Sequence, residues 1–364
     1  MMPEDLRTIA MLDWLENDLL LTISGCEPAS SDASFRRYFR VQTADDCTDA
    51  GDTTARTQEV EQCREQLPRA MQGAIAEQAF IVMDAPPGKE NLEPFIRIAA
   101  LLARSQVKAP IIYQQNLAEG FLLLEDFGSL CLLDRLNDDS ATELYQNACD
   151  NLFKLQTLTP VDSSGLPGYD QPLLLRELAI FDEWFLGQLL DIQIPAALWE
   201  PVRSLLTSSA LEQPSVCVHR DYHSRNLMVL DGNTIGVIDF QDAVIGPITY
   251  DLVSLLRDCY IAWPESQVEQ WRSGYFERLR QAGLIDCSPD QFKRWFDLMG
   301  LQRHLKAIGI FSRLHLRDGK SNYLGDIPRT LNHVATVCAA YPELAEFNTF
   351  LHTHVLPVLS KVEV

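Results

Sequence analysis

Three side chains bearing hard oxygen donors lie close together in the middle of the sequence. Asp221 and Asn226 sit in Val218-His219-Arg220-Asp221-Tyr222-His223-Ser224-Arg225-Asn226, and Asp239 follows in Ile238-Asp239-Phe240-Gln241. A carboxylate within hydrogen-bond reach of a hydroxyl can orient it and take its proton, a part open to Asp221. Mg2+ binds through one or two protein oxygens together with phosphate oxygens, and the Asn226 amide and the Asp239 carboxylate are of that kind. A base beside a two-ligand cation site is what phosphoryl transfer from a Mg-nucleotide to a hydroxyl requires.

The elements that must position these groups are legible nearby. Asn226-Leu-Met-Val-Leu230 and Thr234-Ile-Gly-Val-Ile-Asp239 are two β-prone runs joined by Asp231-Gly232-Asn233. A polar, Gly-containing turn between such runs predicts a hairpin. The hairpin would set Asn226 at the start of one strand beside Asp239 at the end of the other. Further out, Phe35 to Val41 and Ala79 to Met83 read as strands, and 120–128 reads as a buried strand running into a turn. Between the first two lies a polar, Gln-rich insertion at about 44–78, with a helix over 57–77. Residues 4–23 read as an amphipathic helix carrying Leu6, Ile9, Leu12, Leu15, Leu19 and Ile23 on one face, packed on the N-terminal lobe. Residues 93–106 also read as a helix. Beyond 130 the pattern is mostly helical: 142–157, 173–191, 199–208, 267–281 and several segments after Pro289. The expected class is α+β: a small β-rich lobe (1–124), a hinge (125–129) and a larger helical lobe (130–364).

With 364 residues, 46% of them hydrophobic, the chain can bury a sizeable core in two lobes. The net charge of −21 argues against broad nucleic-acid binding, which needs a basic face. The nine cysteines include no C-x-x-C pair, which suggests reduced thiols in a cytoplasmic protein and no zinc site. No apolar run is long enough to span a bilayer. The start, Met1-Met-Pro-Glu-Asp-Leu-Arg7, lacks the basic region of a secretory signal. Neither a membrane nor an obligate protein partner is expected.

The H-x-D-x-x-x-x-N run followed by I-D-F resembles the aminoglycoside-phosphotransferase and choline-kinase-like branch of the kinase fold. Ser31-Asp-Ala-Ser-Phe-Arg-Arg-Tyr-Phe-Arg40, Met83-Asp-Ala-Pro-Pro87, Gly300-Leu-Gln-Arg-His-Leu-Lys306, Gly309-Ile-Phe-Ser-Arg-Leu314 and Arg317-Asp-Gly-Lys320 resemble one bacterial subfamily more closely. That subfamily is the anomeric N-acetylmuramate/N-acetylglucosamine kinases of cell-wall recycling, and the resemblance covers nearly all the chain outside 44–78. It implies a bilobal protein-kinase-like fold with ATP between the lobes and Mg2+ on Asn226 and Asp239. Adenine would meet main-chain groups of Glu125 and Phe127, and phosphate the turn of Ser31, Asp32, Ala33 and Ser34. The chain departs from the kinase pattern in two ways. It has no G-x-G-x-x-G, and Met83 stands where a kinase strand carries its phosphate-contacting lysine. Arg37 or Lys89 are the candidates to supply that charge.

Around the loop, His219 reads as a packing residue. Arg225 is a candidate catalytic residue, paired either with Asp221 or with the transferred phosphoryl, and His223 lies beside the phosphate path. Glu183, Asp242 and Arg303 join His223 as candidate acceptor contacts. Glu183 neighbours the core group Phe181, Trp184 and Phe185. Arg303, His304, Lys306 and Arg313 form either a salt-bridged helix face or an anion-facing wall, and His352-x-His354 reads as surface. The leading expectation is a Mg-ATP-dependent kinase of the anomeric hydroxyl of a small amino sugar. A kinase of an aminoglycoside, choline, homoserine or another sugar is one alternative, and a nucleotide-binding pseudokinase is another. A peptide kinase is disfavoured, because no Ala-Pro-Glu follows Asp239 and Gly246-Pro247 comes too soon for a long activation loop.

Overall fold

The computed structural model describes residues 5–31, 35–44, 79–157 and 165–361. Apart from Ala44, the insertion at 44–78 with its helix lies outside the described residues, as do Asp32, Ala33 and Ser34. The chain divides into two compact units, residues 1–101 with 109–128 and residues 102–108 with 129–364.

The first unit is built on an antiparallel sheet of β1 (Ile23–Ser31), β2 (Arg37–Thr43), β3 (Ala79–Asp84), β4 (Ile112–Asn116) and β5 (Phe121–Glu125), in the order β1-β2-β3-β5-β4. The strands the sequence pattern did not announce, β1 and β4, are the two edges. Edge strands tolerate Pro28 and the polar Gln114-Gln115, so their alternation is weak. Residues opposite one another in an antiparallel pair share a face. Phe39, Val82 and Leu123 therefore lie on one face, where Met11, Trp14, Leu15 and Leu21 cover them. Tyr38, Met83 and Leu122 lie on the other.

The helix expected over 4–23 is shorter. Helix α1 (Leu6–Asp13) runs into a π-helical turn, Trp14–Asp18, and Ile23 opens β1. Leu6 and Ile9 of the expected apolar face are exposed, because the sheet covers only the stripe around Met11 and Leu15. Gly120, at φ 80°, starts β5 where a Cβ would lie 2.0 Å from the Ala85 carbonyl oxygen. That oxygen's own residue donates its N–H to Gly120 O at 2.9 Å, so this close approach requires glycine. Helix α2 (Glu93–Arg104) precedes β4.

The second unit contains α3 (Ala141–Gln156), α4 (Gln171–Ile180, continued as the π-helical Phe181–Leu189), α5 (Ala196–Leu211), α6 (Tyr250–Leu256), α7 (Glu265–Gln281), α8 (Pro289–Asp318) and α9 (Ile327–Ala340). Two short ribbons join them: β6 (Ser215–Val218) with β9 (Val244–Pro247), and β7 (Leu227–Val229) with β8 (Ile235–Val237).

The central element is α8. The Ser288 side chain caps its start by accepting the Gln291 N–H (3.2 Å), and Gly319, at φ 68°, ends it. Its apolar residues are buried against Phe181, Phe185, Leu331 and Val334, each burial being worth about 1.5–3 kcal/mol. A Cβ at Gly309 would lie 2.5 Å from the Ile180 main chain, so glycine permits the close crossing with α4. Because α8 is enclosed, its basic cluster is not a solvated face: Arg303, His304 and Lys306 are all buried. Among the described residues no helix is long and apolar enough to cross a membrane, and the seven described cysteines are free thiols.

Candidate active site

The loop after β6 is held from below by buried groups. Asp251, in the first turn of α6, accepts the N–H of His219 (2.6 Å) and of Arg220 (3.0 Å). His219 is 1% exposed and its Nε2 meets Ile238 O at 3.0 Å. Burial pushes its imidazole down to about 4, so it packs as a neutral ring. Arg220 adopts φ 77°, a left-handed conformation that costs a non-glycine residue about 1–3 kcal/mol. Asp251 on its N–H and Glu177 on its guanidinium (2.6 Å) hold it there. Further along, Ser224 N–H donates to Asp258 Oδ2 (2.8 Å) and His223 N–H to Asp221 O (3.0 Å). The loop thus presents Asp221, half-buried, from a rigid frame.

The β7–β8 hairpin forms around its turn. Gly232 and Asn233 take positive φ, residue types that tolerate it, and Leu230 N–H donates to Thr234 O (2.8 Å). From α3, Asn147 and Asn151 donate to Asn233 O (2.9 Å) and Ile235 O (2.6 Å) and lock the ribbon. Ile238 N–H donates to Asn226 O (3.1 Å), so the next residue, Asp239, faces the Asn226 side chain, which meets its Oδ2 at 3.2 Å. Asp239 also adopts a positive φ, 61°, and accepts from Gln241 Nε2 at 2.7 Å. Asn226 Nδ2 donates to Asp221 O as well (3.1 Å), which leaves the amide oxygen as the atom suited to a cation. One amide oxygen and one carboxylate are a hard donor set that fits Mg2+ completed by phosphate and water. Among the described residues no cluster of three or more His, Cys, Asp or Glu offers a cation a fuller cage.

Burial alone would raise the Asp221 carboxyl, but Lys306, His223, Arg303 and His219 outweigh it and hold it down at about 2. Lys306 keeps its charge against burial through Glu177 (3.2 Å), with Tyr250 Oη at 3.1 Å. Glu177, on α4, therefore faces both Arg220 and Lys306 and also accepts from Tyr169 Oη. Sequence reasoning passed over Glu177, Asp251 and Asp258. Glu177 had a signal, since it lies on the apolar stripe of Leu174, Leu178 and Phe181.

Other expected residues fall differently. Arg225 does not pair with Asp221: its guanidinium stacks 3.7 Å from the Tyr260 ring centroid and reaches Asp326 at 3.9 Å. Glu183 and Asp242 are exposed, and among the described residues no hydrogen bond or ion pair joins either to the loop; the buried turns of their segments face inward through Phe181 and Phe185, and through Gln241 and Ala243. His223 is buried beside Tyr260, ring centroids 5.2 Å apart, and its Nδ1 has no partner among the described residues.

In the first unit, Ser31 ends β1 opposite Arg37. Arg37 is engaged by Asp84 (2.5 Å) and Asp5, so its charge is already matched. Lys89 Nζ lies over the Phe35 ring at 4.6 Å. The N–H of Glu125 is taken by Ile111 O (2.9 Å), which removes it as an adenine donor, and Phe127 is buried. Beside Met83, on the same face, stands Arg40 in a bidentate pair with Asp126 (2.6 and 3.0 Å). Arg36, next to Tyr38, pairs with Glu90 at 3.1 Å.

A five-stranded antiparallel unit, a helical unit and a loop–hairpin carrying Asp221, Asn226 and Asp239 define a kinase-like phosphotransferase. Residues 25–284 match the phosphotransferase enzyme family. A Pseudomonas putida protein named N-acetylmuramate/N-acetylglucosamine kinase is 42% identical over 365 residues, covering 96% of this chain and 97% of its own. A Pseudomonas aeruginosa protein of the same name is 43% identical, covering 89% and 87%. Among solved structures, a Plasmodium vivax ethanolamine kinase aligns with a TM-score of 0.60 at 12% identity, covering 95% of this chain and 92% of its own. An ADP-bound aminoglycoside phosphotransferase aligns at 0.55 and 12%, covering 92% and 99%; at these identities the likeness is one of fold. The chain belongs to the phosphotransferase enzyme family.

Proposed function

We propose that this enzyme transfers the γ-phosphoryl group of ATP, as its Mg2+ complex, to the anomeric hydroxyl of N-acetylmuramate or N-acetylglucosamine, giving a sugar 1-phosphate. The observation that carries the chemistry is the joint placement of Asp221, Asn226 and Asp239 on one braced loop and hairpin. The names of relatives 42% and 43% identical over most of both chains support the acceptor. So does Arg303, a buried cation whose charge acts on Asp221 and which makes no ion pair among the described residues; it suits an anionic sugar better than a cationic aminoglycoside or choline.

In this reading Asn226 and Asp239 hold the metal, which when bound neutralises charge on the phosphate oxygens. Asp221, with its carboxyl held near 2, is ionised at neutral pH, so it orients the hydroxyl and accepts its proton late in the transfer. An anomeric hydroxyl is more acidic than an ordinary alcohol and needs no stronger base. His223, whose Nδ1 has no partner among the described residues, offers the acceptor a hydrogen-bonding group beside Asp221. Residues 31–34 and the main chain of Glu125, through its carbonyl, and of Phe127 remain the proposed nucleotide contacts. The test is turnover with both sugars followed by mild acid treatment of the product. Phosphate release supports a 1-phosphate. An acid-stable product, or turnover with aminoglycosides or choline alone, rejects the sugar assignment.

A further inference from the structure

We propose that Arg303 binds the carboxylate of the acceptor and thereby sets the enzyme's preference for the lactyl-bearing sugar over its uncharged counterpart. The inference rests on the sugar-kinase reading above.

The other cations around the loop are matched to anions. Arg220 and Lys306 share Glu177 at 2.6 and 3.2 Å. Arg257 has Asp297 at 2.8 Å, Arg329 has Asp326 at 2.9 Å, and Arg225 reaches Asp326 at 3.9 Å. Arg303 is 5% exposed, yet among the described residues it makes no ion pair. Its hydrogen bond is Nη1 to the Cys259 sulfur at 3.4 Å, a weak acceptor. The nearby Asp258 acts on Arg303 through space but makes no ion pair with it among the described residues; its carboxylate oxygens accept the main-chain N–H groups of Ser224 (2.8 Å) and Tyr260 (3.0 Å). A buried guanidinium with no carboxylate is costly, and its planar fork of donors matches a carboxylate in two-point contact.

The position fits an acceptor subsite. Cys259, on which Arg303 rests, lies between Asp258, which grips the catalytic loop at Ser224, and Tyr260, whose ring packs against His223 and beneath Arg225. Lys306, one turn further along α8, reaches Glu177 and Tyr250 under the same loop. Arg303 is therefore held beside the loop that presents Asp221, and its charge acts on that carboxylate. N-Acetylmuramate differs from N-acetylglucosamine by a lactyl ether, whose carboxylate is the one anionic group on either sugar.

The experiment compares kcat/KM for both sugars in wild type, Arg303→Gln and Arg303→Lys. Loss of a buried charge pair predicts about a 100-fold fall for N-acetylmuramate in Arg303→Gln, carried mainly by KM, and a fall under about tenfold for N-acetylglucosamine. Arg303→Lys should recover part of the difference. Equal losses for the two sugars would assign Arg303 to the support of Asp221 alone and overturn the proposal, as would no change with either. A wild type that phosphorylates neither sugar rejects the sugar-kinase reading itself, which is a separate result. Should Arg303→Gln fail to fold, the wild type decides with the neutral methyl ester of N-acetylmuramate. The ester should be turned over about 100-fold less efficiently than the acid, and an ester as good as the acid overturns the proposal.

Discussion

Each of the two units buries a carboxylate between two cations, and the two clusters serve different ends. In the first unit, Asp84 is fully buried and receives Arg7 on one oxygen (2.8 and 2.5 Å) and Arg37 on the other (2.9 and 2.5 Å). Both arginines keep partial access to water, at 28% and 38% side-chain exposure, and Asp5 also engages Arg37. The cluster ties α1 to the sheet. In the second unit, Glu177 is buried between the half-buried Arg220 and the buried Lys306, and the cluster continues to Asp221 and to the buried Arg303. A closed set of charges that reaches water is structural. A set enclosed in low dielectric that leaves one cation over is arranged for a charge arriving from outside.

The largest effect expected is at the end of the second cluster. Asp221→Asn should fold and bind nucleotide but lose about 10²–10⁴-fold in kcat, because an amide orients the hydroxyl without accepting its proton. Turnover within threefold of wild type would remove Asp221 from that role.

The two buried carboxylates can then be compared directly. Glu177→Gln leaves Arg220 and Lys306 facing a neutral amide in an enclosed site and should destabilise the protein by about 3–5 kcal/mol in denaturant titrations, while also lowering kcat through the displaced loop. Asp84→Asn should cost about 1–3 kcal/mol, since its arginines can turn to water, and should leave kcat near wild type. Equal effects of the two on kcat would erase the distinction between the clusters.

A smaller effect concerns the charge that stands in for the strand lysine. Arg36 meets Tyr38, which lies on the Met83 face, and pairs with Glu90, whereas Arg37 lies on the Asp84 face. Arg36→Ala should therefore raise the KM for ATP more than Arg37→Ala does, with the sugar KM little changed. Initial-rate kinetics at varied ATP check this, and the reverse order would return the part to Arg37.

The smallest effect is read on the pH axis. Lys306 is foremost among the groups favouring the charged form of Asp221, so Lys306→Met should raise that carboxyl by about 1–3 units. The acid limb of kcat/KM then moves up from near pH 2 into a measurable range. The same depressed value means that Asp221 contributes stability above its unfolded pKa, near 4, and that this is lost as pH falls towards 2. An acid limb that stays put in Lys306→Met would uncouple the second cluster from catalysis.

The sequence alone carried the chemistry, because its determinants are local. Asp221, Asn226 and Asp239 fall within nineteen consecutive residues, about one hairpin and its approach, and the Asp231-Gly232-Asn233 turn contains its own reason to bend. The strands β2, β3 and β5 were legible for the same reason, since each has a neighbour on both sides and its β-prone residues are largely buried. The edge strands β1 and β4 were not, because an edge imposes a weaker pattern.

Tertiary structure alone decided which charges are buried and with whom. The partners of the catalytic loop come from distant positions, Asp251 at 32 residues from His219 and Glu177 at 43 from Arg220, and no local period records such pairs. Only the packing of α8 on all sides separated Arg303 from a solvated basic face, and only the fold turned Glu183 and Asp242 outward. Desolvation depends on everything around a residue, and so it is the property that a chain of neighbours cannot state and a folded protein can.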